Sequence, residues 1–221
     1  MTVITTRIKS LFFVVFFSIS VFSVPLSAQG VISTVIKKTG RPEKWWAVCH
    51  PFIVKKAARL TLETGKTLDS LRKAGTIGDD LSGGQLDAFK HSYWMALLSQ
   101  QIKSKKVRKL GKAHEKTNYL SFKKAMKKGR KNCHDKPATD MDLWNNERGI
   151  EIGSKNKTAS RLELQQMVID SIQAGKMRII LKNKDHKYLD CQHNIIPDDS
   201  LAGKWETDRC LVPSNTKPRD E

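Results

Sequence analysis

Beyond its first two dozen residues, this 221-residue chain has no apolar run long enough to span a membrane, so those residues form no helical channel or carrier. No internal repeat is present, which excludes solenoids and propellers. The four cysteines form no CxxC pair and the six histidines no HxxxH pair, so the common zinc-binding spacings are missing. No sharp turn presents a serine or thiol as a nucleophile, since Ser92 and Ser99 both fall within helical sequence. Acidic side chains are scarce, 22 against 40 Lys and Arg, and the net charge is +18. A chain so basic is attracted to anionic partners such as nucleic acid, lipid headgroups, lipopolysaccharide or other phosphorylated polymers.

The N-terminus reads as an export signal. Arg7 and Lys9 precede an apolar run from Leu11 to Val24, and Leu26-Ser27-Ala28 offers small residues for cleavage before Gln29. Cleavage after Ala28 leaves 193 residues and removes Arg7 and Lys9, lowering the charge from +18 to +16. A secreted or periplasmic protein, with no transmembrane segment once the signal is cut, is expected. Export also permits disulfides. Cys191 and Cys210 share one irregular tail and are the first pair expected, with Cys49–Cys133 to follow.

The chain is organised around residues 84–102. At 100° per residue, Asp87, His91, Trp94, Met95, Leu98 and Ile102 share one face, while Phe89, Tyr93, Ala96 and Leu97 cover the opposite side. A helix apolar nearly all round is a buried one, yet it carries Asp87 and His91 inside an apolar stripe. Before it, Phe52 to Lys73 has helical spacing with Gly65 as a potential break. After it, residues 103–131 hold thirteen Lys and Arg against Glu115 alone. Val107, Leu110 and His114 nevertheless share a face, so one or two amphipathic helices with lysine outer faces are expected. No aromatic residues alternate with those lysines, and no specific nucleic-acid motif is seen.

A third polar face lies on Met141 to Gly153, where Asp142, Asn145, Asn146, Gly149 and Gly153 cluster. Glycines at i and i+4 cost helix stability and are tolerated where a ligand or another backbone comes close. Ala159 to Ala174 forms a further amphipathic helix ended by Gly175, and Met177 to Leu181 is a short extended segment. The expected fold is all-α: a single compact bundle of about six helices around a buried central helix, with an irregular C-terminal tail. Its expected parts are a signal peptide (1–28), a connector (29–44), a helical domain (45–181) and a tail (182–221).

If the three faces converge, Asp87, His91, His114 and Glu115 form an acid–base set, and Asp142, Asn145 and Asn146 bind metal, water or substrate. His91, His114 and Asp142 are the candidate ligands of a divalent metal. The same residues also suit a buried network that only locks helix register.

The motifs quoted resemble an uncharacterised bacterial domain family, a domain of unknown function found in exported proteins and in some toxin-like multidomain chains. The residues Asp87 to Leu97 are similar to its DAFRHAYWNAL signature, His114-Glu115 to its HE element, and Met141 to Gly149 to its MDLHNN element. The resemblance covers about Trp45 to Leu181 and implies a helical fold with these motif positions, but no reaction. Trp144 stands where the family usually has His, Ile150 where it usually has Arg, and Lys123 to Thr139 looks like an insertion.

Two functions follow as expectations. One is a metal-assisted or acid–base hydrolase acting on an anionic, phosphorylated substrate. The other is a non-catalytic basic envelope protein that binds anionic polymers, its Asp/His/Asn cluster purely structural.

Overall fold

The central helix is buried as its composition demands: twelve of the seventeen residues of Gln85–Gln101 are buried in the computed structural model. The structure describes residues 30, 33, 35, 37, 39–130 and 134–217. The signal peptide and cleavage site expected over 1–28 lie outside the described residues, as does Cys133. The chain runs α1 (Arg41–Val48), α2 (Pro51–Ala74), α3 (Gln85–Gln101), α4 (Ser104–Lys127), α5 (Lys136–Lys155), α6 (Arg161–Gln173), β1 (Arg178–Ile180), a single turn α7 (Asp198–Leu201) and β2 (Leu211–Pro213). The protein is all-α in its architecture, with β1 and β2 pairing antiparallel as a two-stranded accessory.

Gly65 does not divide α2. It faces open space, where a glycine costs the helix only its own propensity, about 1 kcal/mol. The lysine-rich segment is one helix, α4, with Val107, Leu110 and Phe122 on the core side. Lys105, Lys109, Lys112, Lys116 and Lys123 are exposed, giving the lysine outer face that the periodicity predicts.

The longest contact in the bundle is between α3 and α5, and it explains the two glycines. A Cβ on Gly149 would lie 2.0 Å from the carbonyl oxygen of Ser92, and one on Gly153 equally close to that of Ala96. Hydrogen atoms in place of side chains let the two backbones touch, so this half of the notched face is a helix contact. Phe89, Tyr93, Met95 and Leu97 complete the core with residues of α2, α4 and α6.

The tail after β1 is tied down at several points. Cys191 and Cys210 form the expected disulfide. The buried Asp135 carboxylate, which also caps α5 through the Ala138 amide, pairs with buried Arg209. Trp205 packs against Tyr119 and Phe122 of α4. Cys49 is exposed and bonded to no described cysteine, and the second expected disulfide, Cys49–Cys133, falls on a residue outside the described ones.

Candidate metal and acid–base site

The i, i+4 spacing on α3 places Asp87 and His91 one turn apart on the buried face, and α5 brings Asp142 against them. His91 Nε2 lies 3.2 Å from Asp142 Oδ1 and 3.7 Å from Asp87 Oδ1. One donor atom from each of the three residues falls within 4.8 Å of the others, and all three residues are buried. Two ligands bound to one ion at about 2.0–2.2 Å lie no more than about 4.4 Å apart. The set is therefore within a small adjustment of holding a cation.

Asp87 is held from both sides. The Gly83 amide donates to its Oδ2 at 2.9 Å, and the Lys90 ammonium approaches its Oδ1 at 2.5 Å. Gly83 adopts φ 94°, a left-handed conformation that suits glycine and turns its N–H onto the carboxylate. Position in the first turn of α3 adds the favourable end of the helix dipole.

Other members are poorly paired. His91 Nδ1, Asp142 Oδ1, Glu115 Oε1 and both side-chain polar atoms of Asn146 are buried without a hydrogen-bond partner among the described residues. Asn146 lies close enough to His91 to favour its protonated ring, but the two form no well-aligned hydrogen bond. An unpaired buried polar group costs about 1–3 kcal/mol, so each of these atoms calls for a partner, an ion or a water.

Electrostatics follow from burial. Desolvation pushes the Asp142 carboxyl well above its usual range, and the Glu115 and Asp87 charges push it further against the pull of Lys90. Burial likewise raises Glu115, although His114, Asn118 and Lys90 oppose it. Burial drives His91 well below an ordinary imidazole, helped by the Lys90 charge, so the ring is neutral at pH 7. Burial alone would lower Lys90, but the Asp87 carboxylate outweighs it and the net shift is upward. A neutral imidazole among crowded carboxylates is the state a cation requires.

The residues expected from sequence separate into two groups. Asp87, His91, Glu115, Asp142 and Asn146 are brought together. His114 is displaced: its Nδ1 sits 2.8 Å from Glu43 Oε1, and its ring centre is 6.0 Å from that of His91. Asp87 takes the place beside His91 and Asp142 that His114 was expected to fill. Asn145 is engaged elsewhere, its Nδ2 donating to the Arg178 carbonyl and its Oδ1 accepting from the Arg178 amide, both at 2.9 Å, which fastens β1 to α5. Trp144 is held outside the cluster, its ring against the Arg148 and Arg178 guanidinium groups and its Nε1 donating to the Lys176 carbonyl.

Sequence reading missed three residues. Glu43 is buried on α1, where burial would raise its carboxyl but hydrogen bonds from His114, Gly40 and Thr117 lower it overall. No periodic signal marks it, because the partner lies 71 residues away. Lys90 was detectable as a lysine inside an otherwise apolar helix. Burial lowers the pKa of His134, and the nearby His114 and Lys90 lower it further.

These observations define a helical protein with a buried Asp–His–Asp cluster suited to a metal ion. Residues 44–176 match the family described as Domain of unknown function (DUF6973), and the chain belongs to that family. No curated protein and no solved structure matches it.

Proposed function

We propose that this protein is an exported hydrolase that uses a divalent metal ion, held by Asp87, His91 and Asp142, to cleave an anionic phosphoester with water. The observation that carries this reading is the cluster of buried donors without partners around His91. Asp87, His91 and Asp142 would hold the cation, which would offset the crowding of the Asp87, Glu115 and Asp142 carboxylates and supply Lewis acidity for hydrolysis. Glu115, whose carboxyl burial raises, would serve as the general base toward water. Lys90 supplies positive charge for the substrate's anionic group. The Cys191–Cys210 disulfide suits an oxidising compartment outside the cytoplasm.

Metal titration of the purified chain tests the reading. Wild type is expected to bind one Zn²⁺, Mn²⁺ or Mg²⁺ ion per chain. His91→Ala and Asp142→Asn should weaken that affinity at least about tenfold while remaining folded, as expected for loss of a metal-site interaction. Equal affinity in all three proteins would refute it.

The second reading, a basic protein that holds anionic polymers, draws on the exposed lysines of α4. It predicts binding with a steep salt dependence that survives His91→Ala and fails when those lysines are neutralised.

A further inference from the structure

Beside the polar cluster lies a cavity of about 410 Å³, within the range of roughly 300–1,000 Å³ usual for small-molecule sites. Its walls are apolar, with Ala47 of α1 and Val54, Ala58, Leu62 and Leu68 of α2 among them. Its titratable lining residues are Lys90, His91, His114 and Glu43. His114 and Glu43 are hydrogen-bonded, and the His114 ring stands next to that of His91. The cavity thus joins an apolar chamber to a cationic and acid–base end. A wholly hydrophilic phosphoester would leave the apolar walls wet.

A second observation lies at the α1–α2 corner. Trp45 is 70% exposed, Val48 68% and Phe52 99%, all within eight residues of one another. Ala47 and Val54, their close neighbours in the chain, line the cavity, so the corner and the chamber are built from the same two helix ends. Exposed Lys44, Lys55, Lys56 and Arg59 lie beside these apolar residues in the same two helices. Apolar side chains set among basic ones suit a negatively charged lipid surface, where the apolar groups enter the acyl boundary and the lysines meet headgroups.

We propose that the substrate is an amphiphile from an anionic lipid surface. The Trp45–Val48–Phe52 corner seats the protein on that surface. The acyl chain fills the chamber, and the phosphate-bearing head lies at Lys90 and His91. Turnover of that lipid rests on the hydrolase reading above. Binding does not.

Two assays on the full chain test this. In the first, dansyl-undecanoate serves as a single-chain anionic probe. Its fluorescence should shift to the blue saturably, and Ala58→Phe and Val54→Trp, which fill the chamber, should each weaken binding at least about tenfold. In the second, vesicles of phosphatidylglycerol or phosphatidylcholine are pelleted with wild type and Phe52→Glu. Both proteins carry the same N-terminal residues, so the difference between them reports the corner. Binding to phosphatidylglycerol should exceed that to phosphatidylcholine, fall in about 0.5 M salt, and drop about tenfold in Phe52→Glu. Probe binding indifferent to both cavity variants would overturn the proposal. So would equal vesicle binding by Phe52→Glu, or a wild-type dimer that Phe52→Glu dissociates, which would make the corner a protein interface. Metal titration of the same preparations separates the two ideas. Intact metal binding with failed lipid assays overturns the lipid inference alone, and absent metal binding overturns the hydrolase reading.

Discussion

Asp135 and Asp142 sit seven residues apart at the start and in the middle of one helix, and both are buried. Every oxygen of Asp135 is engaged. Oδ2 accepts from Arg209 Nε and Thr207 Oγ1 at 2.6 Å each, and Oδ1 accepts from the Ala138 amide and meets the Arg209 guanidinium. Asp142 faces a neutral imidazole and two further carboxylates, with Oδ1 lacking a hydrogen bond. The same chain therefore pairs a buried carboxylate fully where the task is to dock its tail. That contrast favours a ligand role for the Asp142 cluster over a structural one, because a register lock has no reason to leave its own donors and acceptors unpaired.

The largest expected effect tests the paired side. Arg209→Ala leaves Asp135 buried without its cation and should cost about 3–5 kcal/mol in urea unfolding. A cost below about 1 kcal/mol would mean that the Asp135 pair is no better settled than Asp142, and the contrast would collapse.

Gly149→Ala probes how the unpaired side is positioned. Its new Cβ meets the Ser92 carbonyl, so α3 and α5 must separate. Stability should fall by about 1–3 kcal/mol or more. Asp142, on the same helix, should move away from His91, and metal affinity should drop about tenfold in a titration, as for loss of a supporting contact. Unchanged affinity would show that the glycine contact does not set the cluster.

The smallest effect concerns pH in the presence of a chelator. The folded Asp142 carboxyl titrates above its unfolded value, so the native state holds its proton more tightly. The resulting stability is fully present below about pH 4 and is lost as pH rises through the raised folded value. Unfolding free energy measured across that range should decline in wild type and decline less in Asp142→Asn. Identical slopes would show that Asp142 shares its fellow carboxylates' burden too evenly to matter alone.

Much of this was legible along the chain. Helical period alone turned Asp87 and His91 inward, because a four-residue step returns to the same face of a helix. Glycines at positions 149 and 153 announced a close approach, and Cys191 and Cys210 announced a staple in the tail. Less legible was the division of labour between neighbours. Asn145 and Asn146 are adjacent and alike, yet one clamps Arg178 and the other faces the cluster, since a single residue step rotates the side chain by about 100°. His114 has helical register with the core, but its nitrogen went to Glu43, a partner from an element with no readable polar pattern.

By itself, then, the sequence determined the helices, the buried rank of α3 and the inward placing of its two polar residues, because these depend on local periodicity and propensity. Only the tertiary structure decided the company they keep: Asp87 beside His91 and Asp142 in the place expected of His114, Lys90 on Asp87, and an apolar chamber beside them. Those choices depend on distances between elements far apart in the chain, which no local pattern encodes.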